Sequence, residues 1–443
     1  MPDLPRQIRL AAGDYFMHGQ DHRIRQSGMQ GNVCCAVFRL GAGFDAERLR
    51  QRIATSPMMD WFSRVRISRP FLLFPPVWRA AAQLKPVLFE HHDANGSADL
   101  CSLPAAVTER KLHPGHTPGV AFDVVRHTDG TSHLYVSWNH TLLDARGLDF
   151  LLSHLNSNSE SNGAPTLQDF ISRRQTGRKE TGWWPNAKLA HRSTKWLTES
   201  GAEPLFSLVP TKPRSGPCRN FQRLVSFTSE ESARIDARSQ KITAGFRRSH
   251  FFLAASIRAL HAIAVQRGNQ DGAYLIPVPH DTRKFGAKGP IFSNHLSILF
   301  YRIEPKRAGR ISDIVAELSR QMGDQIRDRF PDCCIAALEM FKVLPMRYYL
   351  HHLGKPTRGK IASFSFSDSG EICPGMTELW GGKILEVTHM IASWRPPGLT
   401  VLFLRFKNQL SIMLSWVDDC VNMVEINGFE RDLRRALLEE DLS

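Results

Sequence analysis

Several features of membrane, secreted and nucleic-acid-binding proteins are missing from this sequence. It has no run of about 18 apolar residues that could cross a membrane. Its N-terminus, MPDLPRQIRL, lacks the apolar stretch of a signal peptide. No zinc-finger, RRM or helix-turn-helix signature is present, so no nucleic-acid partner is expected. We therefore expect a cytoplasmic monomer, and a peripheral contact with a membrane surface stays open.

Cysteine motifs are missing as well. The eight cysteines form no C-x-x-C pair, so neither a zinc ribbon nor a thioredoxin-like site is supported. Their pattern is typical of reduced, partly buried thiols. Cys34 and Cys35 are adjacent strand residues that face opposite sides, and neither has an identifiable basic partner. Neither is therefore a candidate nucleophile.

Metal-ligand spacing is missing too. His91-His92-Asp93 and His351-His352 have no acidic or cysteine ligand at helical spacing. We interpret both groups as solvated loop histidines and expect no metal ion.

The length and charge of the chain are informative. At 443 residues, with 42% hydrophobic and 23% charged residues, the chain exceeds the usual range of a single core. The formal charge of +14 favours an anionic partner such as a phosphorylated cofactor, an acidic carrier protein, a nucleic acid or a membrane surface. Charge alone does not choose among these partners.

Composition divides the chain into two lobes of similar α+β character. We assign residues 1–170 to an N-terminal lobe, 171–220 to a crossover linker and 221–443 to a C-terminal lobe, because polar stretches with Gly and Pro fill the middle. The basic linker cluster Arg173, Arg174, Arg178 and Lys179 is interpreted as solvated. The apolar interruption Trp183-Trp184 could dock the linker onto a surface.

Local patterns predict individual elements. GVAFDVVRHTDGTSHLYVSWNH is typical of two strands joined at Asp129-Gly130, and Lys407-Asn408 separates the strands of a second hairpin. Ser249 is the predicted N-cap of a later helix. The bulky side chains of Met58, Met59, Trp61 and Phe62 are expected in the core or in a tunnel wall.

The stretch WNHTLLDARG, Trp138 to Gly147, carries the chemistry. His140 leaves a predicted strand, and Asp144 lies at the start of a helix whose leucines recur at spacings of three and four. An aspartate is favoured at a helix N-terminus and can hold the local backbone. An imidazole with one nitrogen tied internally and the other free is a general base near neutral pH. This pattern suits deprotonation of an alcohol or amine that attacks a carbonyl.

With this H-x-x-x-D motif, the sequence resembles the condensation-domain and chloramphenicol-acetyltransferase-like superfamily of thioester-dependent acyltransferases. IPVPHDTRKFGAKGPIFSNHLSILF is similar to a later strand region of that family, and FSFSDSGEI to a still later segment. The chain departs from the pattern at Asn139, which replaces a first histidine, and at Ala145-Arg146, which separate Asp144 from Gly147. Ser249-His250 stand where wax ester synthase relatives have an Asn-Asp pair.

The resemblance implies a fold of two similar lobes with a tunnel between them and His140 at its middle. His140 would be the general base, and Asp144 would be structural, pairing with Arg283; Arg146 is the alternative partner. Gly147 and Gly370 match glycines of the family motifs. Candidate donors to the oxyanion are Asn294, Ser297, Ser365 and Ser367.

The implied reaction moves an acyl group from a coenzyme A or carrier-protein thioester to a small-molecule hydroxyl or amine acceptor, with no bound cofactor. The thioester would be a co-substrate, and an acyl or peptidyl carrier protein is an expected partner. The alternative is a non-catalytic protein of the same fold that recruits a carrier protein or a biosynthetic partner. The presence of both His140 and Asp144 favours the enzyme.

Overall fold

A computed structural model describes most of the chain. The described residues are 7–71, 74–81, 87–92, 100–108, 110–115, 118–157, 182–212, 214, 216–245, 247–284, 286–287 and 289–439, with the backbone alone for 87–92 and 105–106. The basic linker cluster and Asp93 lie outside these residues.

Both halves of the described chain contain strands and helices, as the α+β prediction requires. The strands are β1 (Gln7–Arg9), β2 (Val33–Leu40), β3 (Val65–Ser68), β4 (Val77–Ala80), β5 (Val87–His92), β6 (Val120–Arg126), β7 (Ser132–Asn139), β8 (Asn220–Ser226), β9 (Tyr274–Asp281), β10 (Leu296–Ile303), β11 (Ser365–Glu371), β12 (Glu378–Leu379), β13 (Gly382–Met390), β14 (Leu399–Phe406) and β15 (Gln409–Val417). The helices are α1 (Ala12–Gln26), α2 (Ala46–Thr55), α3 (Pro57–Arg64), α4 (Ala105–Thr108), α5 (Ala145–Asn156), α6 (Trp183–Ser200), α7 (Ser229–Thr243), α8 (Arg248–Gln266), α9 (Ile311–Arg327), α10 (Phe330–Phe341), α11 (Met346–Gly354) and α12 (Met423–Leu438).

Two larger sheets organise the lobes. The N-terminal sheet has the strand order β12-β13-β2-β7-β6-β5, and the C-terminal sheet has the order β11-β14-β15-β8. The antiparallel strands β9 and β10 flank the segment that contains Ser293–His295, which lies against the H-x-x-x-D motif. Strands β1, β4 and β3 form a small third sheet. Each lobe has its own large apolar core. The α+β prediction with two lobes is confirmed.

The C-terminal half of the chain contributes strands to the N-terminal sheet. β13 comes from the C-terminal half, yet it pairs antiparallel with β2 of the N-terminal sheet, with His389 opposite Ala36. A division of the chain at residues 170 and 220 assigns β13 to the C-terminal lobe, although this strand belongs to the N-terminal sheet. The two lobes are joined by backbone hydrogen bonds as well as by side-chain packing.

Several local predictions can be compared with the structure. The hairpin β14–β15 turns at Lys407 and Asn408, both at positive φ, as the pattern predicts. Ser249 is not an N-cap, because α8 already begins at Arg248 and Ser249 lies inside its first turn. The N-cap residue, Arg247, is in the left-handed conformation and makes no side-chain cap.

Part of the predicted linker is helical. Residues 183–200 form α6, which packs against α10. Trp183 and Trp184 do not dock onto a surface: their side chains are 63% and 73% exposed at the start of the helix. Ala190 and Ser193 are buried instead, and Trp196 packs on Phe330 of α10 with ring centroids 5.3 Å apart.

The bulky apolar side chains of α3 are placed as expected. Met58, Met59, Trp61 and Phe62 are buried in the N-terminal core, which confirms the core alternative. His351 and His352 lie on α11, where a loop is predicted. No helix among the described residues has the length and apolarity needed to span a membrane.

Candidate active site

His140 follows the last residue of β7 and lies between the two lobes. Its backbone N–H donates to the carbonyl of Asn32. The Asn294 side-chain amide donates to the carbonyls of His140 and Thr141, so its Oδ1 is left to accept from His140 Nδ1–H at 3.1 Å. Fixing Nδ1 as the donor leaves the lone pair on Nε2. The imidazole lines a cavity, so this tautomer is the one a general base requires.

The surroundings of His140 favour the neutral imidazole. Burial lowers the pKa of His140 below its ordinary value, although its own backbone carbonyl, Asp144 and Asn294 act in the opposite direction. The histidine is therefore uncharged at neutral pH and able to accept a proton.

Asp144 is the N-cap of α5, as predicted. Its Oδ1 accepts from the Gly147 N–H at 2.8 Å. Arg283 donates to both carboxylate oxygens, at 2.9 and 3.0 Å, and the N–H of His295 donates to Oδ2 at 3.0 Å. The predicted pairing of Asp144 with Arg283 is present as a two-pronged ion pair.

Burial alone would raise the pKa of Asp144, but the charge and hydrogen bonds of Arg283, together with His295, outweigh it and hold the pKa below its usual value. The Arg283 side chain is 3% exposed and also donates to the carbonyl of Pro290. This charge pair fixes the start of α5 to the C-terminal half.

The alternative partner, Arg146, is engaged elsewhere. It donates to Asp149, three residues further along α5, at 3.3 Å. Burial raises the pKa of Asp149 to about 6, against the opposing effect of Arg146 and the Cys373 N–H. Arg146 therefore pairs with Asp149 within the same helix, and Arg283 is the partner of Asp144.

The segment Ser293–His295 approaches the motif closely. Ser293 N–H donates to the carbonyl of Leu142, and Leu143 forms a parallel bridge with Ser293. A Cβ on Gly147 would lie 2.4 Å from the carbonyl oxygen of Ile291, so this approach requires glycine. Gly147 thus has a steric role.

Asp14, in the first turn of α1, holds this segment, and no local pattern in the sequence predicts this role. The carboxylate is fully buried and accepts from Ser293 Oγ, the Asn294 N–H and amide, and Trp78 Nε1. In the sequence, Asp14 resembles any acidic residue near a helix start. Its role depends on residues some 280 positions away and is visible only in the fold.

Asn139, which replaces the family's first histidine, is structural. Its amide donates to Asp21 and to the carbonyl of Leu112, and its Oδ1 accepts from the Thr141 N–H. A histidine is therefore not needed at this position to hold the turn after β7.

The candidates for the oxyanion donor separate into two groups. The Asn294 amide is occupied by the carbonyls of His140 and Thr141, and Ser297 Oγ donates to the carbonyl of Pro331. Ser365 and Ser367 line the same cavity as His140, and the buried Ser365 Oγ forms no hydrogen bond with any residue that the structure describes. The geometry favours Ser365 over Asn294 and Ser297.

Other residues of the cavity were not predicted. His389 on β13 lies in the wall, with its ring against Trp138, and burial lowers its pKa to about 4.

Gly370, a residue that the sequence analysis singled out, has φ +66° and follows Ser369, which also lines the cavity. The role of Gly370 stays a prediction. Cys34 lines the cavity too, but burial raises the pKa of its thiol, so it is not a thiolate.

The cavity around His140 has a volume of about 160 Å³ and is lined by residues from both lobes. Trp138 and Cys34 come from the N-terminal sheet, whereas Ser365, Phe366 and Leu402 come from the C-terminal sheet. Among the described residues, no group of three or more His, Cys, Asp or Glu side chains could hold a metal ion.

Comparison with known proteins is informative at the level of structure. No protein-family model matches the sequence, and no curated protein matches it significantly. The solved structures that resemble it include the TRI3 trichothecene 15-O-acetyltransferase from Fusarium sporotrichioides, with a TM-score of 0.70, 12% identity, and coverage of 98% of this chain and 95% of that one.

Two further neighbours have related activities in their names. The first condensation domain of the CDA synthetase has a TM-score of 0.68 at 12% identity, covering 99% of this chain and 98% of its own. The wax ester synthase/diacylglycerol acyltransferase from Marinobacter aquaeolei has a TM-score of 0.56 at 14% identity, covering 97% and 98%. The chain therefore has the two-lobed condensation-domain and chloramphenicol-acetyltransferase-like fold.

Proposed function

We propose that this protein is an acyltransferase that moves an acyl group from a thioester donor to a hydroxyl or amine acceptor, with His140 as the general base. The observation that carries the proposal is the His140 imidazole, held neutral with Nε2 free in a cavity between the lobes. The fold, which an acetyltransferase and a wax ester synthase share, supports the same reaction class.

The reaction follows from this arrangement. Nε2 of His140 removes the proton from the acceptor as its oxygen or nitrogen attacks the thioester carbonyl. The tetrahedral oxyanion accepts a hydrogen bond from Ser365 Oγ, which has no other partner within the described part of the chain. Collapse of the intermediate expels the thiolate, which takes the proton back from His140, so the enzyme returns to its starting state.

The donor is a thioester of coenzyme A or of a carrier protein. The formal charge of +14 favours either one, because coenzyme A carries phosphates and carrier proteins present acidic helices. Condensation domains among the structural neighbours make a carrier-protein donor plausible.

Loss of the base tests the proposal. His140→Ala should lower acyl transfer by roughly two to four orders of magnitude, the range typical of general-base loss. The measurement is the intact mass of small hydroxyl and amine acceptors after incubation with a panel of acyl thioesters.

The acid limb of the wild-type rate profile should lie below pH 6.5, because the histidine must be neutral and its pKa is lowered.

His351→Ala, at an exposed position of α11, is the matched control and should keep full activity. Equal circular dichroism spectra would show that both variants fold. Wild-type turnover by His140→Ala would refute the base assignment. A wild-type protein that binds a carrier protein but transfers no acyl group would favour the non-catalytic alternative.

A further inference from the structure

A second void adjoins the His140 cavity. It has a cavity volume of about 120 Å³ and lies between α1, α6, α10 and α11, against β10. Phe16, Gln20, Pro277, Ile298 and Trp394 line both voids and form their common boundary. We call this second void the apolar chamber; its wall includes Phe16, Leu197, Ile298, Phe300, Leu338 and Leu353.

Three hydroxyl groups of the chamber wall already have hydrogen-bond partners. Ser193 Oγ donates to the carbonyls of Ala190 and Cys333, Thr194 Oγ1 donates to Ala190, and Thr357 Oγ1 donates to Gly354. A ligand there would meet mainly aliphatic and aromatic surface.

The chamber also has a charged group and an opening at its edge. Arg23 is partly buried and donates to the carbonyl of Leu350 at 3.4 Å. His352 is exposed and stacks on Phe341, with ring centroids 5.6 Å apart, so the chamber reaches the surface beside α11. A long chain could therefore extend past the wall at this point.

A void of this size is not ordinary packing. Protein interiors are packed as densely as organic crystals and hold few gaps larger than a water molecule. Ligand sites have mostly apolar walls, and an apolar cavity of roughly 150 Å³ is large enough to bind benzene. The apolar chamber meets this description and lies next to the base.

We propose that the apolar chamber binds an aliphatic chain or aromatic group that belongs to one of the two substrates. The inference rests on the acyltransferase proposal and narrows it, because it excludes reactions in which donor and acceptor are both small and polar. The apolar group is either the acyl chain of the thioester or the body of the acceptor, and its reacting end lies beside His140.

Two series of substrates distinguish these sources. In the donor series, acetyl-, hexanoyl- and decanoyl-coenzyme A are compared with one acceptor; in the acceptor series, ethanol, 1-hexanol and 1-decanol are compared with acetyl-coenzyme A. In the series whose variable part enters the chamber, kcat/KM should rise roughly fourfold for each methylene buried. If kcat/KM rises with chain length in either series, the proposal is supported, and that series shows which substrate enters the chamber. If kcat/KM is independent of chain length in both series, the proposal is refuted.

Changing the chamber should change this preference. Ala337 lines the chamber on α10, and Ala337→Phe should lower the ratio of kcat/KM for the long substrate over the short one by about tenfold or more. Leu353→Ala enlarges the chamber and should move the preference toward longer chains, so the test survives if Ala337→Phe does not fold. Ala42→Phe, at an exposed turn, is the matched control and should leave the ratio unchanged.

Binding without turnover separates this proposal from the acyltransferase proposal. The fluorescence of 8-anilinonaphthalene-1-sulfonate and its displacement by 1-decanol need no reaction. If the wild-type protein transfers no acyl group but 1-decanol displaces the probe, and Ala337→Phe weakens that displacement, the chamber is supported and the reaction is refuted. If transfer occurs with unchanged ratios in the folded Ala337→Phe and Leu353→Ala variants, the chamber is refuted and the reaction stands.

Discussion

Two carboxylates near the start of the same helix, Asp144 and Asp149, differ in almost everything except burial. Asp144 accepts four N–H groups, including both prongs of a guanidinium that is 3% exposed. Asp149 accepts one hydrogen bond at 3.3 Å from Arg146, whose side chain is 36% exposed, and others from the N–H and thiol of Cys373. The pKa of Asp144 is lowered, and that of Asp149 is raised to about 6.

The comparison shows that burial does not by itself set the sign of a pKa shift. Both carboxylates lose solvation, and this raises the pKa of each. At Asp144 the buried guanidinium of Arg283, with two hydrogen bonds, outweighs the effect of burial. At Asp149 the partly exposed Arg146, with one hydrogen bond, and the Cys373 N–H and thiol do not. The carboxylate that joins the lobes is thus the one held ionised.

The largest effect should come from removing the interlobe carboxylate. Asp144→Ala leaves the buried Arg283 with only the long contact to the half-exposed Asp281, at 3.4 Å, as an ion pair, so the free energy of unfolding should fall by up to about 3–5 kcal/mol. Acyl transfer should fall as well, because His295 and the adjacent Asn294 lose an anchor. Urea unfolding measures the stability, and Asp144→Asn serves as the control that keeps an N-cap acceptor. A loss no greater than that of an ordinary N-cap, about 1 kcal/mol, would contradict the pairing.

A double-mutant cycle isolates the ion pair itself. Asp144→Ala and Arg283→Ala should couple by about 1–3 kcal/mol, with the double variant more stable than the summed single losses predict. Asp144→Ala combined with Arg146→Ala is the matched control and should be additive within about 0.5 kcal/mol, because Arg146 contacts Asp149 instead. Strong coupling in the control cycle with none in the first would reverse the assignment of partners.

The smallest expected effect is the contribution of Asp149 to the pH dependence of the free energy of unfolding. Its folded pKa lies above its unfolded value, so the folded state binds more protons between about pH 4 and 6, and stability falls as pH rises through this window. Asp144 acts oppositely, because its lowered pKa contributes stability that is lost as pH falls below its unfolded value.

Asp149→Asn should remove this fall in stability. The shift at Asp149 corresponds to at most about 3 kcal/mol, and we expect 1–2 kcal/mol because the site can relax. Relative to wild type, the variant should gain this amount between pH 4 and 7 in urea unfolding. A constant difference across that range would show that Asp149 titrates normally.

Local signals in the sequence were sufficient to predict α5, the helix that follows the H-x-x-x-D motif. Its N-cap and the leucines at spacings of three and four lie within one short segment, so their meaning does not depend on the rest of the chain. The hairpin at Lys407 and Asn408 was predictable for the same reason. Arg283 could be paired with Asp144 because the family resemblance supplied the long-range information.

Residues whose role depends on distant partners were missed or misplaced. Asp14 holds a segment far away in sequence, and no local pattern distinguishes it from a helix-start acid. Ser297 was a reasonable oxyanion candidate, but neighbouring strand residues face opposite sides: Leu296 and Ile298 line the cavity, while Ser297 donates to Pro331. His389 entered the site only through the pairing of β13 with β2.

The return of β13 to the N-terminal sheet has a consequence for synthesis on the ribosome. β2 gains one neighbour, β7, once residue 139 has emerged, but its other neighbour ends only at residue 390. At typical rates of translation this interval lasts roughly 10–50 s. Throughout it the VCCAVFRL strand presents an unpaired edge, the kind of surface that pairs with other chains. The nascent protein therefore depends on protection of that edge, by a chaperone or by its own later segments, until most of the chain has been made.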